Sequence, residues 1–329
     1  MSENGIITIS LDFELFWGMR DKKTIPEYQK NLAGVSFAVD EILNKFKEYN
    51  MHATWASVGF LFYENADDLK ENIPKSLPNY ENKHLNPYEY ISNNELEKKY
   101  HFAPEIINKI INTPNQEIGT HTMSHYYCLE KGQTKHEFLD DLTKAIETIK
   151  EKTGEDTHSL VFPRNQWNEE YLSVLSDLNI LSYRGNESSW IYDAVNEEDE
   201  NQLRRAIRLL DAYLNISGHN TYDLKELAKD TPFNIPSSRF LRPVSKKLSF
   251  AEPLRLKRIK KAMTYAAKNK ELFHLWWHPH NFGADPESNI LFLDEILKHY
   301  VFLENKYGMT SLTMHEVSTL LKEKQNETH

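Results

Sequence analysis

The chain has 329 residues, enough for one large α/β domain or two ordinary ones, and 40% hydrophobic with 12% aromatic residues exclude a disordered polypeptide. Lys and Arg number 39 against 49 Asp and Glu, and the net charge of −10 argues against a nucleic-acid partner. A single cysteine, Cys128, excludes a disulfide framework and any cysteine-based zinc site, and no window approaches the ~18 uninterrupted apolar residues of a membrane span.

The N-terminal stretch MSENGIITIS has no basic segment and no apolar leader core, so a soluble cytoplasmic protein is expected. Ile6, Ile7, Ile9 and Leu11 form a short apolar run that reads as a buried strand, ending at Asp12 and Glu14 with only Phe13 between them. Side chains alternate along a strand, so the two carboxylates share one face if extended geometry continues that far. Leu32, Val35, Val39, Ile42, Leu43 and Phe46 then recur at helical spacing over 26–49. The apolar stretch 51–62 reads as a second strand running into a loop at Gly59. Residues 63–91, with Pro74, Pro78 and Pro87, are too broken for a long element and are expected as an insertion. Helical spacing returns over 93–111, and a short strand follows at 117–121.

The next stretch, IGTHTMSHYYC at 118–128, carries His121 and His125 four apart, which on a helical turn places both imidazoles on one side. Two His and one carboxylate are a common ligand set for a catalytic divalent metal with positions left for water. The spacing alone is a weak signal. Its place after a predicted strand gives it weight, because Asp12 and Glu14 also follow one, and parallel α/β folds bind ligands at the C-terminal ends of their strands. A helix over 134–152 stops at Gly154, and a strand over 157–162 leads into Phe162-Pro163-Arg164-Asn165. Arg164 is thus a third polar strand-end group, able to hold a carboxylate through two hydrogen bonds. A helix over 169–178 and a strand over 180–184 follow.

The segment 191–250 reads as a second insertion, with an acidic loop at 196–200, an unsettled helix or strand at 203–214, a strand at 213–217 and a loop at 236–243. A basic helix over 253–270, an amphipathic helix over 290–307, a strand over 309–312 and a helix over 314–322 complete the chain. Alternation of strands and helices argues for a parallel sheet, and the number of units favours an α/β barrel in one domain, 1–329.

Four stretches, LDFE at 11–14, HTMSH at 121–125, FPRN at 162–165 and LWWHPH at 275–280, resemble in order and strand-end placement the motifs of the metal-dependent polysaccharide deacetylases, the carbohydrate esterase family 4 group. The resemblance spans residues 9–280. It implies an irregular (β/α) barrel with loop insertions, and hydrolysis of an N-acyl group, first of all N-acetyl, on a sugar. It also implies Asp12 as catalytic base, Glu14, His121 and His125 as ligands of a divalent metal (Zn2+ before Co2+, Ni2+ or Fe2+), Arg164 as the partner orienting the base, and His278 as general acid. Many members have two adjacent Asp in the first motif. Here the ligand would be a Glu, and the reverse assignment, Asp12 as ligand, stays open. FPRN departs from the more usual R-x-P-Y-G, which makes Arg184 the fallback. His274, His278 and His280 share a face on a strand, so spacing does not choose among them; motif position favours His278.

Trp17, Trp167 and Trp277, like Trp190 and Trp276, are candidate sugar-stacking surfaces, with core packing as the plainer alternative. Arg239 and Arg242 of the loop 236–243 fall near the expected mouth of the site. From Arg239 to Lys261 there are nine Lys or Arg against one acid, Glu252. This reads either as a solvated basic helix or as a wall for the phosphates of a nucleotide-sugar or lipid-linked glycan, or for a membrane surface. The expected function is removal of an N-acyl group from a sugar unit or glycan intermediate in surface polysaccharide synthesis, since a secreted chitin or peptidoglycan deacetylase would need an export signal. Two other classes compete. One is a catalytically inert glycan- or metal-binding protein on the same fold; the other is an iron(II) oxygenase with two His and one carboxylate, which is usually built on an all-β jelly roll.

Overall fold

The computed structural model describes residues 4–196 and 198–327; residues 1–3 of the N-terminal stretch and Glu197 of the acidic loop lie outside the described residues. The first strand, β1 (Ile6–Phe13), is fully buried, and its two faces meet different layers. Ile7, Ile9, Leu11 and Phe13 enter the main apolar cluster beneath the helices. Ile6, Thr8, Ser10 and Asp12 alternate onto the opposite, inner face.

Strands β2 (Ala53–Ser57), β3 (Gln116–Thr120), β4 (Ser159–Val161), β5 (Ser182–Arg184) and β6 (Phe233–Asn234) extend from one side of β1. On its other side lie β8 (Leu272–Trp277) and then β7 (Arg239–Phe240), while β9 (Thr310–Ser311) pairs with the start of β1 on the edge that β2 takes further along. The order is β6-β5-β4-β3-β2-β1-β8-β7, with β9 also paired to β1, and every pairing between these strands is parallel. The sheet curls into an irregular α/β barrel. The chain linking β6 to β7 spans the gap between the two edges: the Ser237 N–H donates to Gly185 O (2.9 Å) and the Ser238 N–H to His274 O (2.8 Å).

Register aligns the site. Ser10 lies opposite Trp276 on β8, and Asp12 opposite Ala56 on β2, so His274 and Trp276 share the inner face with Ser10 and Asp12. Met314, Val317 and Leu321 of the last helix, Met314–Glu327, pack with Ile6, Ile235 and Leu272 and close the end at which β1 and β8 begin. The C-terminal strand ends stay open.

Several elements differ from the sequence-based expectation. The helix expected over 26–49 is two, Ile25–Ala33 and Val35–Glu48, broken at Gly34, where a Cβ would lie 2.1 Å from the Gly283 carbonyl oxygen. The stretch expected as one helix over 93–111 contains Lys98–His101 and Pro104–Ile111, because Pro104 starts a helix but cannot continue one. Residues 203–214 resolve as the helix Gln202–Asp211, and 213–217 is a turn and not a strand. The turn winds around the Asp211 carboxylate, which accepts from the N–H groups of Ile216 (3.0 Å) and Ser217 (2.8 Å). The loop expected over 236–243 contains β7. Among the described residues no helix is long and apolar enough to cross a membrane.

Candidate active site

The HTMSH stretch follows β3, but it is an irregular loop and not the helical turn its spacing suggests. Thr122 and His125 both take positive φ, 64° and 59°. Non-glycine residues adopt that conformation only where the surroundings over-determine it. Here they do. The buried carboxylate of Asp141, on the helix Lys135–Thr153, accepts from the Met123 N–H (2.7 Å) and the Ser124 hydroxyl. Thr122 Oγ1 accepts from the Tyr126 N–H (2.7 Å), and the Thr122 and Met123 carbonyls accept from Gly59 and Phe60.

The loop turns both imidazoles onto Glu14. Glu14 Oε2 lies 2.9 Å from His125 Nε2 and 3.3 Å from His121 Nε2, and all three side chains are buried. Their ligand atoms fall within 4.8 Å of one another. The Val161 carbonyl can only accept, so His121 Nδ1, 2.8 Å away, carries the proton. His121 Nε2 is therefore a lone pair, buried without a hydrogen-bond partner and facing a carboxylate oxygen. Two acceptors at that separation call for a cation between them, and the donor set fits a divalent metal. Burial drives His125 down to about 4, so at neutral pH it too is a neutral ligand. Burial opposes ionisation of Glu14, but the surrounding imidazoles, His278 and His125 first, outweigh it and hold the carboxyl well below its usual range. Gly18 makes room for the carboxylate: a Cβ there would lie 2.0 Å from Glu14 Oε1.

Asp12, beside Glu14, is held differently. Arg184, the last residue of β5, donates from both terminal nitrogens to its two oxygens (2.7 and 2.8 Å), and also to Ser10 Oγ and Asn165 Oδ1. Burial again opposes ionisation, and the Arg184 charge and hydrogen bonds outweigh it, so Asp12 lies below the usual carboxylate range. His278 Nε2 faces both acids, 3.7 Å from Asp12 and 3.6 Å from Glu14. Tyr28 donates to Asn281 Oδ1 (3.2 Å), which leaves Asn281 Nδ2 to donate to His278 Nδ1 (3.3 Å). That relay leaves the ring proton on Nε2, toward the acids. His274 is committed to Ser10 and the Ile235 carbonyl, and His280 is buried behind His278, with burial lowering both to about 3.

Other expected residues have different partners or places, Arg164 staying on the wall of the same cleft. Arg164 does not reach Asp12; it pairs with Asp21 and lies over the Tyr127 ring, because Arg164 and Asn165 turn away from β4 with φ of 57° and 53°. Trp17 is buried against Phe60 and donates to the His101 carbonyl, and Trp277 is stacked on Phe282 in the core, so neither ring meets the cleft. Trp167 packs beside Tyr183 and lines a neighbouring depression. Arg239 is buried in an ion pair with Asp211, which Arg258 shares, and Arg255 pairs with Glu252, so these three do not form a wall. A cleft of about 470 Å³ opens over Asp12, Glu14, His125 and His278, walled by Trp276 and Phe240. The sequence reading overlooked Phe240, Asn281 and Asp21. Only the proximity of Asn281 to the LWWHPH stretch could have drawn notice to any of them.

Residues 33–182 match the family model for polysaccharide deacetylase, a stretch holding His121 and His125 and ending two residues before Arg184. No curated protein matches the chain. Among solved structures, a Mycobacterium smegmatis protein assigned as a polysaccharide deacetylase is similar over 99% of this chain and 93% of its own, with TM-score 0.60 and 12% identity. The 4-α-glucanotransferase of Thermococcus litoralis is similar over 96% of this chain but 40% of its own, with TM-score 0.51 and 13% identity. These likenesses establish the deacetylase (β/α)-barrel fold. Because a glucanotransferase shares it, activity has to be argued from the site.

Proposed function

Because residues 33–182 carry a polysaccharide deacetylase domain, we propose that the chain is a metal-dependent hydrolase that removes an N-acyl group, first of all N-acetyl, from a sugar unit or glycan. Glycan intermediates of surface polysaccharide synthesis are the first substrates to assay. The supporting observation is the pair of adjacent buried carboxylates at the end of β1, one fixed by a guanidinium and the other by two imidazoles, with the Nε2 of a third imidazole, His278, facing both. Two like groups in different environments are how one site divides base from ligand.

A divalent ion held by Glu14, His121 and His125, Zn2+ in the first instance, would supply Lewis acidity toward the amide carbonyl and lower the pKa of bound water toward ~7. Asp12, kept ionised by Arg184, takes a proton from the attacking water as its oxygen bonds to the acyl carbon. His278 Nε2–H donates to the sugar nitrogen as the C–N bond breaks and takes back the proton that Asp12 accepted from the water, so a carboxylic acid and an amine leave and both side chains return to their starting states. Trp276 and Phe240 give the sugar ring an apolar face to lie on.

The test is acid release from N-acetylated and N-formylated sugars, oligosaccharides and glycan intermediates by the metal-loaded chain. Asp12→Asn, confirmed to bind metal as the parent does, should lose about 10²–10⁴ in rate. Full turnover by that variant refutes the base assignment, and no release from any N-acylated substrate overturns the reading itself.

A further inference from the structure

The guanidinium groups around the barrel mouth follow a pattern. Arg184 is neutralised by Asp12, Arg164 by Asp21, Arg208 by Glu200 (2.8 Å), Arg255 by Glu252, and Arg239 with Arg258 by Asp211. Arg204 is capped instead by the carbonyls of Trp190, Ile191 and Asp193, and Arg242 departs from both arrangements. It is half-buried on the cleft wall and has no carboxylate contact among the described residues; the charged groups facing it are Arg208 and Arg255, alongside Tyr192 and Tyr213. A partly desolvated cation beside two others is unfavourable unless an anion joins it. Arg205, exposed on the same wall, likewise has no ion pair or hydrogen bond from its side chain to a described residue. Of the carboxylates on that wall, Glu200 is taken by Arg208, and buried Glu187 accepts from Ser237 (2.9 Å), which leaves Asp193.

Arg242 also stands at a defined place relative to the chemistry. Its guanidinium lies 5.7 Å from the centroid of Phe240, whose ring packs on Trp276 (4.5 Å) and on His278 (5.7 Å). A continuous shelf of rings therefore runs from the imidazole facing Asp12 and Glu14 out to the unpaired guanidinium, the span of a sugar and its substituent. Resting on the deacetylase reading for the inner end of this shelf, we propose that Arg242 and Arg205 form an anion subsite for a phosphate or diphosphate group carried by the N-acylated sugar. Guanidinium groups match phosphate oxygens through paired hydrogen bonds, and a sugar lying on the shelf would present its amide to the acids and its phosphate to Arg242.

Binding and turnover are measured separately on the metal-loaded chain. Calorimetric titration at low salt with inorganic pyrophosphate and with N-acetylglucosamine 1-phosphate should give a Kd that rises about tenfold or more in Arg242→Gln and severalfold in Arg205→Gln. Arg205 is exposed, so that variant reports on the subsite even if Arg242→Gln folds poorly. In kinetics, kcat/KM for the sugar phosphate should exceed that for the methyl glycoside of N-acetylglucosamine, and the ratio should fall in both variants. Pyrophosphate affinity unchanged in both variants overturns the subsite, including the case in which the anion simply binds the metal. An N-acetylated uronic acid that binds better than the sugar phosphate replaces phosphate by carboxylate and overturns the proposal as stated. A chain that releases no acid yet loses pyrophosphate binding on substitution keeps the subsite and refutes the deacetylase reading.

Discussion

Asp12 and Glu14 are two residues apart and equally buried, yet their partners give them opposite tasks. Arg184 reaches Asp12 because its side chain leaves the end of β5 on the inner face, level with Ser10; Arg164, one strand earlier, stays on the cleft wall and pairs with the buried Asp21. The contrast is testable. Arg184→Gln should leave Asp12 buried beside a weaker partner, destabilise the fold by about 3–5 kcal/mol and lower the rate at least as steeply as Asp12→Asn. Arg164→Gln, on a partly exposed pair, should change both far less, and denaturant melts with initial rates on the two variants would tell. Gly18→Ala should push the Glu14 carboxylate off its position and weaken metal affinity by about 10–100-fold, read by competition with a chelator, without unfolding the barrel.

At the scale of elements, β1 with β8 and the HTMSH loop were legible as strand-end chemistry because apolar runs, alternation and acidic or imidazole ends are written in consecutive residues. The geometry of the loop was not. His spacing suggested a helical turn, whereas the loop is shaped by Asp141, 16 positions after His125, and by positive φ at Thr122 and His125, neither of which local pattern reveals. The choice of Arg184 over Arg164 was likewise hidden, because FPRN spends Arg164 and Asn165 on a left-handed turn. The aromatic strand ends misled for a related reason: adjacent Trp276 and Trp277 point to opposite faces, and only Trp276 lines the cleft. If Asp141 sets the loop, Asp141→Ala should orphan several buried donors, cost about 3 kcal/mol or more by chemical denaturation, and weaken metal binding although it touches no ligand.

Across the whole molecule, the basic stretch is spent largely on holding the chain together. Arg239 of β7 and Arg258 of the helix Glu252–Asn269 converge on Asp211, which ends the helix of the 191–250 insertion and so ties it to the barrel. Burial opposes the Asp211 charge, but Arg239 and the Ser217 hydrogen bonds outweigh it and depress the carboxyl below its unfolded value. Its contribution to stability is therefore fully present above about pH 4 and lost as the pH falls through the acid range toward the folded value. Asp211→Asn should lower the melting temperature at neutral pH and flatten its acid-side decline; a parallel pair of curves would contradict this. The account as a whole turns on Glu14, His121 and His125 acting as one metal centre that the reaction requires. Metal content and metal-restored acid release, measured on the same preparations of the parent and of His121→Ala combined with His125→Ala, test it most directly. The account predicts about one divalent ion per parent chain, lost in the double variant together with turnover. No ion after reconstitution of the parent, or turnover that survives the double substitution, would contradict it.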